Sequence, residues 1–196
     1  MIIGIDIDDT ISDTYETAFA YAQKYTVEEL GKSGNINHKN VSHHFYLREL
    51  HEWTQQEEYN FWKKYYKKMI NELKPLTFAA ETINKLKEEG HKIVIITARY
   101  PEKSFDVEAT TIKWLKDNKI EYDDLVLDAD DKKQVAIDKK IDVFIDDSFK
   151  NCAAVSEAGV KTFIIETRVN QGLENDNVTR VYSWPQFYSK IKKGEI

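Results

Sequence analysis

Cross-links, rigid turns and loose linkers have almost no material in this sequence: 196 residues include one cysteine, three prolines and seven glycines. A lone cysteine cannot form an internal disulfide, so a reducing cytoplasm is the expected location. So little glycine and proline excludes collagen-like, linker-like and low-complexity chains. A basic excess is lacking too. Lysine and arginine number 28 against 34 acids, a formal charge of −6, with a sequence pI of about 5.5. That sign is wrong for a protein that coats duplex nucleic acid. No window approaches the ~18 apolar residues that cross a bilayer, so no membrane partner is expected. Met1–Asp9 is briefly apolar and then acidic, with no basic start and no cleavage site, and does not read as a signal peptide. What the sequence does have is 41% hydrophobic residues and 32% charged residues of mixed sign, enough to fold around a core. The length suits one domain, or one domain with a modest insertion.

Short apolar, β-branched runs recur along the chain at Met1–Ile7, Lys92–Thr97, Leu125–Leu127, Asp142–Ile145 and Thr162–Ile165. Nearly continuous apolar runs of this kind read as strands covered on both faces. Helical periods separate them at Ala79–Glu89, Thr110–Asn118, Lys150–Ala158 and Trp184–Lys192, with Gly90 and Gly159 at helix stops and Pro185 in a first turn. This alternation predicts an α/β fold: a Rossmann-like, doubly wound, mainly parallel sheet with helices on both faces. Ser12–Lys74 contains no convincing strand. Asp13–Lys24 reads as a helix, Gly31–Asn40 as a loop, and Thr54–Glu57 as a capping box opening a helix to about Leu73. The expected organisation is therefore an α/β core from 1–11 and 75–196, with a small helical cap at 12–74 inserted after the first strand.

In sheets of this kind ligands bind beyond the carboxyl ends of the strands. Three polar groups fall there, and a fourth lies before a short helix. Asp6-Ile7-Asp8-Asp9-Thr10 follows the first strand. Alternation along a strand would set Asp6 and Asp8 on one face, and carboxylates that close repel unless a hard cation such as Mg²⁺ lies between them. Asp146-Asp147 follows the fourth strand and would add a third metal oxygen; the sequence does not choose between the two acids. Thr97-Ala98-Arg99 ends the second strand. Its hydroxyl and backbone N–H groups could hold a phosphate oxygen, while Arg99 reads equally as a substrate contact or as a solvated surface charge. Lys132-Lys133 precedes a short helix leading to the fourth strand, where one lysine could neutralise Asp6 and a bound phosphoryl group.

These residues, in this order, resemble the haloacid dehalogenase superfamily of phosphohydrolases. Asp-x-Asp-x-Thr after an apolar strand is the family's first motif, a strand ending in Ser or Thr its second, a lysine its third and an acidic pair after a strand its fourth. Ile-Ile-Thr-Ala-Arg, Asp131-Lys132, Ile-Asp-Asp-Ser and a late Trp184 narrow the resemblance to the deoxyribonucleotidase-type 5′-nucleotidase branch and its bacterial members. There an Asp-Lys pair stands about a helix ahead of the acidic pair, which favours Lys132 over Lys133.

The resemblance implies a Mg²⁺-dependent phosphomonoester hydrolase acting on (deoxy)nucleoside monophosphates. Asp6 would attack phosphorus and form an aspartyl-phosphate. Asp8 would protonate the leaving oxygen and then deprotonate water. Mg²⁺ would be held by Asp6, the Asp8 carbonyl and the pair Asp146-Asp147, of which the family uses the residue aligned with Asp147 as the ligand. Thr97 and Lys132 would hold phosphoryl oxygens, with Thr10, Ala98 and Arg99 on the substrate.

Other readings remain open. A phosphatase of the same superfamily could act on sugar phosphates or another small phosphomonoester. A phospho-receiver also gathers aspartates, a threonine, a lysine and Mg²⁺, but its acceptor follows a middle strand and it has no long insertion like Ser12–Lys74. A degenerate binding module would not keep all four motifs. Phe45, Tyr46, Trp53, Phe61, Trp62, Tyr65 and Tyr66 fall in the insertion; a few could stack a base, but aromatic stripes at helical spacing usually pack a core. His38, His43, His44 and His51 have no zinc-like spacing and read as surface or packing residues. Cys152 reads as a small buried residue and Trp184 as a packing anchor.

Overall fold

A computed structural model of the chain describes residues 1–36 and 47–194. Six strands form one parallel sheet: β1 (Ile2–Ile5), β2 (Lys92–Ile96), β3 (Asp124–Val126), β4 (Val143–Asp146), β5 (Lys161–Ile165) and β6 (Val178–Val181), in the order β3-β2-β1-β4-β5-β6. This is the doubly wound arrangement that the strand–helix alternation predicts. The chain reverses direction across the sheet between β1 and β4, so a crevice opens beyond their carboxyl ends.

Alternation along the strands builds two cores. Ile3, Ile5, Ile93, Ile95, Val143 and Ile145 face α4 (Ala79–Glu88), α5 (Val107–Asp117) and α8 (Trp184–Lys192), and pack on Ile83, Leu86, Trp114, Leu115, Trp184 and Phe187. Val94, Ile96 and Phe144 face the other way, towards Ala136 of α6 (Lys132–Asp138) and Val155 of α7 (Phe149–Ser156). Gly4 lies on this second face. A Cβ there would meet Ile96, Phe144 and Ile141 at 3.0–3.2 Å, so the central strand has no room for a side chain.

A third core stands apart from the sheet. Helix α1 (Thr14–Lys24) continues as a π-helical turn over Tyr25–Glu29, followed after residue 46 by α2 (Leu47–Leu50) and α3 (Gln55–Glu72). Ala18, Ala22, Tyr25, Leu47, Trp53, Phe61, Tyr65 and Met69 bury one another here. The capping box forms as the sequence indicates: Thr54 Oγ1 accepts from the Glu57 N–H, and the Glu57 carboxylate accepts from the Thr54 N–H. Asp13 stitches the two chain crossings to this layer, its N–H donating to the Lys74 carbonyl at 2.9 Å and its carboxylate accepting from the Lys74 N–H at 2.7 Å.

Two local expectations are corrected. The first strand ends at Ile5, not Ile7, so Asp6 and Asp8 stand in the turn beyond it rather than on one strand face. A sixth strand forms at Val178–Val181, where only Val181 is buried and an arginine interrupts the apolar pattern. In α5 the stripe runs through Thr110, Thr111, Trp114 and Leu115, leaving Ile112 exposed. His38, His43, His44, Phe45 and Tyr46 lie outside the described residues. Among the described residues no helix is long and apolar enough to cross a membrane.

Candidate active site

Beyond the carboxyl ends of β1 and β4, Asp6 and Asp146 come together although 140 residues separate them in the chain. Asp146 is the last residue of β4, and the Asp6 N–H donates to the Ile145 carbonyl at 3.1 Å, so the two strands set the spacing. Lys132 reaches between them from the first turn of α6. Its ammonium donates to Asp6 at 2.5 Å and to Asp146 at 2.7 Å, with all three residues at most 4% exposed. Asp131 caps that helix through the Gln134 N–H, which fixes where the lysine begins. Lys133, by contrast, points outward to Glu157.

The two acids of the Asp146-Asp147 pair have different surroundings. Asp146 also accepts from the Ser148 N–H at 2.7 Å and from the Asn151 amide at 3.1 Å. Its oxygens are thus committed to protein donors. Asp147 is held by its main chain: its N–H donates to Thr10 Oγ1 at 3.0 Å, and its carbonyl accepts from the Asn170 amide at 2.8 Å. One carboxylate oxygen each from Asp6, Asp146 and Asp147 can be chosen within 4.8 Å of one another.

Asp8 lies outside that triad, paired with Arg99. The guanidinium grips both carboxylate oxygens, Nε at 3.0 Å and Nη2 at 2.7 Å, and Thr14 Oγ1 adds a third donor at 2.8 Å. Arg99 is buried, stands over the Trp114 ring and reaches Thr111. The surface-charge alternative for Arg99 is therefore excluded; its guanidinium is bonded to Asp8. Thr97 is fully buried at the end of β2, its hydroxyl accepting from the Arg99 N–H at 3.3 Å, while Ala98 between them is exposed. Thr10 is buried against Asp147, and its carbonyl accepts from Trp184 Nε1 at 3.0 Å. Trp184 is thus an anchor for the acidic loop, and Cys152 is buried and free.

The electrostatics follow from burial. Loss of water pushes the Asp6 carboxyl up to about 7; Lys132 opposes this, and the Asp146 and Asp8 charges reinforce it. Asp147 is driven well above the ordinary carboxylate range by burial and by Asp146 and Asp6. Asp8 shifts the other way, since Arg99 outweighs the penalty of burial. Lys132 is held protonated despite its burial by Asp146 and Asp6. Four carboxylates (Asp6, Asp8, Asp146, Asp147) thus share two cations, Lys132 and Arg99. An all-oxygen donor set with uncompensated negative charge fits a hard divalent cation.

Asn170, Asn151 and Thr14 were not legible as site residues in the sequence. Each sits in a loop or at a helix start and gains its partner only by folding. Among the aromatics, Tyr66 of α3 stacks on Tyr100 at 6.4 Å and meets Phe105 edge-on at 5.6 Å. The helical layer therefore overhangs the turn that carries Thr97 and Arg99.

Comparison with known proteins gives the family and the fold. The family profile described as 5′ nucleotidase, deoxy (Pyrimidine), cytosolic type C protein matches residues 1–194. A nucleotidase of Clostridium acetobutylicum is 30% identical over 195 residues, spanning 97% of this chain and 93% of its own length. Among solved structures, the haloacid dehalogenase-like hydrolase SP0104 of Streptococcus pneumoniae superposes with a TM-score of 0.68 at 17% identity, covering 97% of both chains. YfnB of Bacillus subtilis, solved bound to magnesium, gives 0.63 at 16% identity, covering 97% of this chain and 98% of its own.

Proposed function

The chain belongs to the cytosolic type C 5′ nucleotidase family, within the haloacid dehalogenase superfamily, and is a phosphomonoester hydrolase; from that premise we propose that it dephosphorylates (deoxy)nucleoside monophosphates through an aspartyl-phosphate on Asp6, with Mg²⁺. The observation that carries this reading is the surplus of carboxylate where buried Asp6 and Asp146 meet half-buried Asp147, with Lys132 bridging only the first two. Asp6, Asp147 and the Asp8 main-chain carbonyl would hold the ion, because Asp146 is already committed to Lys132, Ser148 and Asn151. When bound, Mg²⁺ supplies positive charge to the phosphoryl oxygens and keeps the Asp6 carboxylate ionised.

Asp6 attacks phosphorus, the bond to the leaving oxygen breaks, and Asp8 gives that oxygen a proton. Asp8 then takes a proton from water, which attacks the same phosphorus and frees Asp6. Paired with Arg99, Asp8 is held in the ionised form that accepts a proton; the form that donates one requires the pair to loosen. Thr97 and Lys132 hold phosphoryl oxygens, so that most of the catalysis is positioning and electrostatics. The exposed Tyr100 and the overhanging Tyr66 offer aromatic surface beside this site, which suits the nucleoside part of the substrate. We place the reaction in the cytoplasm, where the free thiol of Cys152 is stable.

A phosphate-release panel tests the assignment. With Mg²⁺, nucleoside monophosphates are expected to turn over faster than sugar phosphates, and chelation is expected to silence the protein until Mg²⁺ is returned. Inert nucleotides beside active sugar phosphates would move the substrate to the other phosphomonoester class, and full activity in chelator would remove the metal.

A further inference from the structure

Asn170 is 2% exposed and stands in the turn after β5, outside every sequence motif. Its amide nitrogen donates to two carbonyls, Asp147 at 2.8 Å and Ile165 at 2.8 Å. Its amide oxygen accepts from the Thr167 N–H at 3.1 Å and from Arg180 Nη1 at 2.8 Å. All four hydrogen-bonding positions of the amide are thus occupied, which fixes its orientation. Arg180 of β6 is itself tied down, to Glu166, to the Leu173 carbonyl and to the Asn170 carbonyl at 3.1 Å. The ends of β5 and β6 therefore form a rigid buttress against the main chain at Asp147.

Thr10 holds the same residue from the opposite side, through its N–H. Asp147 is clamped at both ends of its backbone, while no hydrogen bond from a described residue holds its carboxylate. Such an arrangement presents an oxygen ligand at a fixed place and leaves its lone pairs available. We infer that Asn170 is a positioning residue for the metal site: acting through the Asp147 carbonyl, it sets where that carboxylate stands beside Asp6, and with it the affinity for a divalent cation. This rests on Asp6 and Asp147 being ligands of that cation. Outer partners of metal ligands typically contribute about 10–100-fold in metal affinity.

The test is Mn²⁺ binding to the whole protein without substrate, read by electron paramagnetic resonance, with melting of the metal-free protein alongside. Asn170→Ala is expected to raise the Kd for Mn²⁺ by about 10–100-fold. Asn170→Asp keeps the acceptor for Arg180 but sets a carboxylate oxygen against two carbonyls, and should bind Mn²⁺ as weakly. Arg180→Lys loosens the buttress while leaving Asn170 in place, and should give a smaller rise; it also serves if the Asn170 variants do not fold. A purely structural role would lower the melting temperature while leaving Mn²⁺ affinity unchanged. Unchanged affinity in folded Asn170 variants, or in Arg180→Lys should those variants not fold, overturns the inference while leaving the metal assignment standing. Failure of the unmodified protein to bind Mn²⁺ overturns the metal assignment itself, and this inference with it.

Discussion

The edge of the sheet and the helical layer above it are held together by opposite kinds of force. At the edge, Asp6, Asp146 and Lys132 are buried charges joined by short, directed bonds, each useless without the others. In the helical layer, Tyr25, Trp53, Phe61 and Tyr65 pack ring against ring at centroid distances of 5.0–6.2 Å, where many small contacts add up. The first arrangement fixes atoms for a reaction but gives little net stability, because desolvation offsets the attraction. The second gives stability and tolerates exchange among apolar side chains. A substitution in one region should therefore leave a different signature from a substitution in the other.

The largest separation is expected from Asp6→Asn, which removes the proposed nucleophile while keeping its shape. Turnover should fall by at least about 10³-fold, with circular dichroism unchanged; near-normal kcat would end the covalent account. Next comes Lys132→Met. It leaves Asp6 and Asp146 buried without their cation, so denaturant unfolding of the metal-free protein should show a loss of about 3–5 kcal/mol. Turnover should fall about 10²–10³-fold, so this one change crosses the line between the two regions.

How much of this could be read from the sequence depends on the same contrast. Asp6, Asp8, Thr97, Lys132 and Asp146 each follow or adjoin an apolar strand or a capped helix, so their place at one edge follows from local pattern plus the rule for parallel sheets. Arg99 has its place from the same pattern but not its role, and Asn170 has no such pattern. Their roles come from what stands opposite them in space, Asp8 in one case and the Asp147 carbonyl in the other. Strand β6 is silent in the sequence because an edge strand with one buried residue lacks an apolar run. The capping box of α3 was legible because it is closed by residues three apart. The aromatic stripe of α3 was legible as a helix face, but the same spacing serves packing and binding alike, and so says little about substrate.

A smaller effect is expected from Phe61→Ala. Phe61 is fully buried among Tyr25, Trp53, Trp62 and Tyr65, and its loss should cost about 3 kcal/mol. Hydrogen exchange should quicken in α1 and α3 more than in β1 and β4; equal quickening would mean that the two regions unfold as one unit. The last effect is of similar size and emerges only in acid. Burial pushes the His51 imidazole down to about 4 from its ordinary 6.5, so the fold favours its neutral form. That contribution is complete above pH 6.5 and is lost as pH falls from there towards 4, because the unfolded chain takes up the proton first. Relative to His51→Phe, the unmodified protein should lose roughly 3 kcal/mol over this window, measured by urea unfolding at each pH. Parallel curves for the two proteins would remove His51 from the explanation.

The central claim, that Asp6 takes the phosphoryl group onto itself, is tested most directly by the stereochemical course at phosphorus. A nucleoside thiophosphate made chiral by oxygen isotopes would be hydrolysed in isotopically labelled water. Two in-line displacements, first by Asp6 and then by water, each invert the phosphorus centre, so net retention is the expected result. Net inversion would mean that water attacks the substrate in a single step, and would contradict the account.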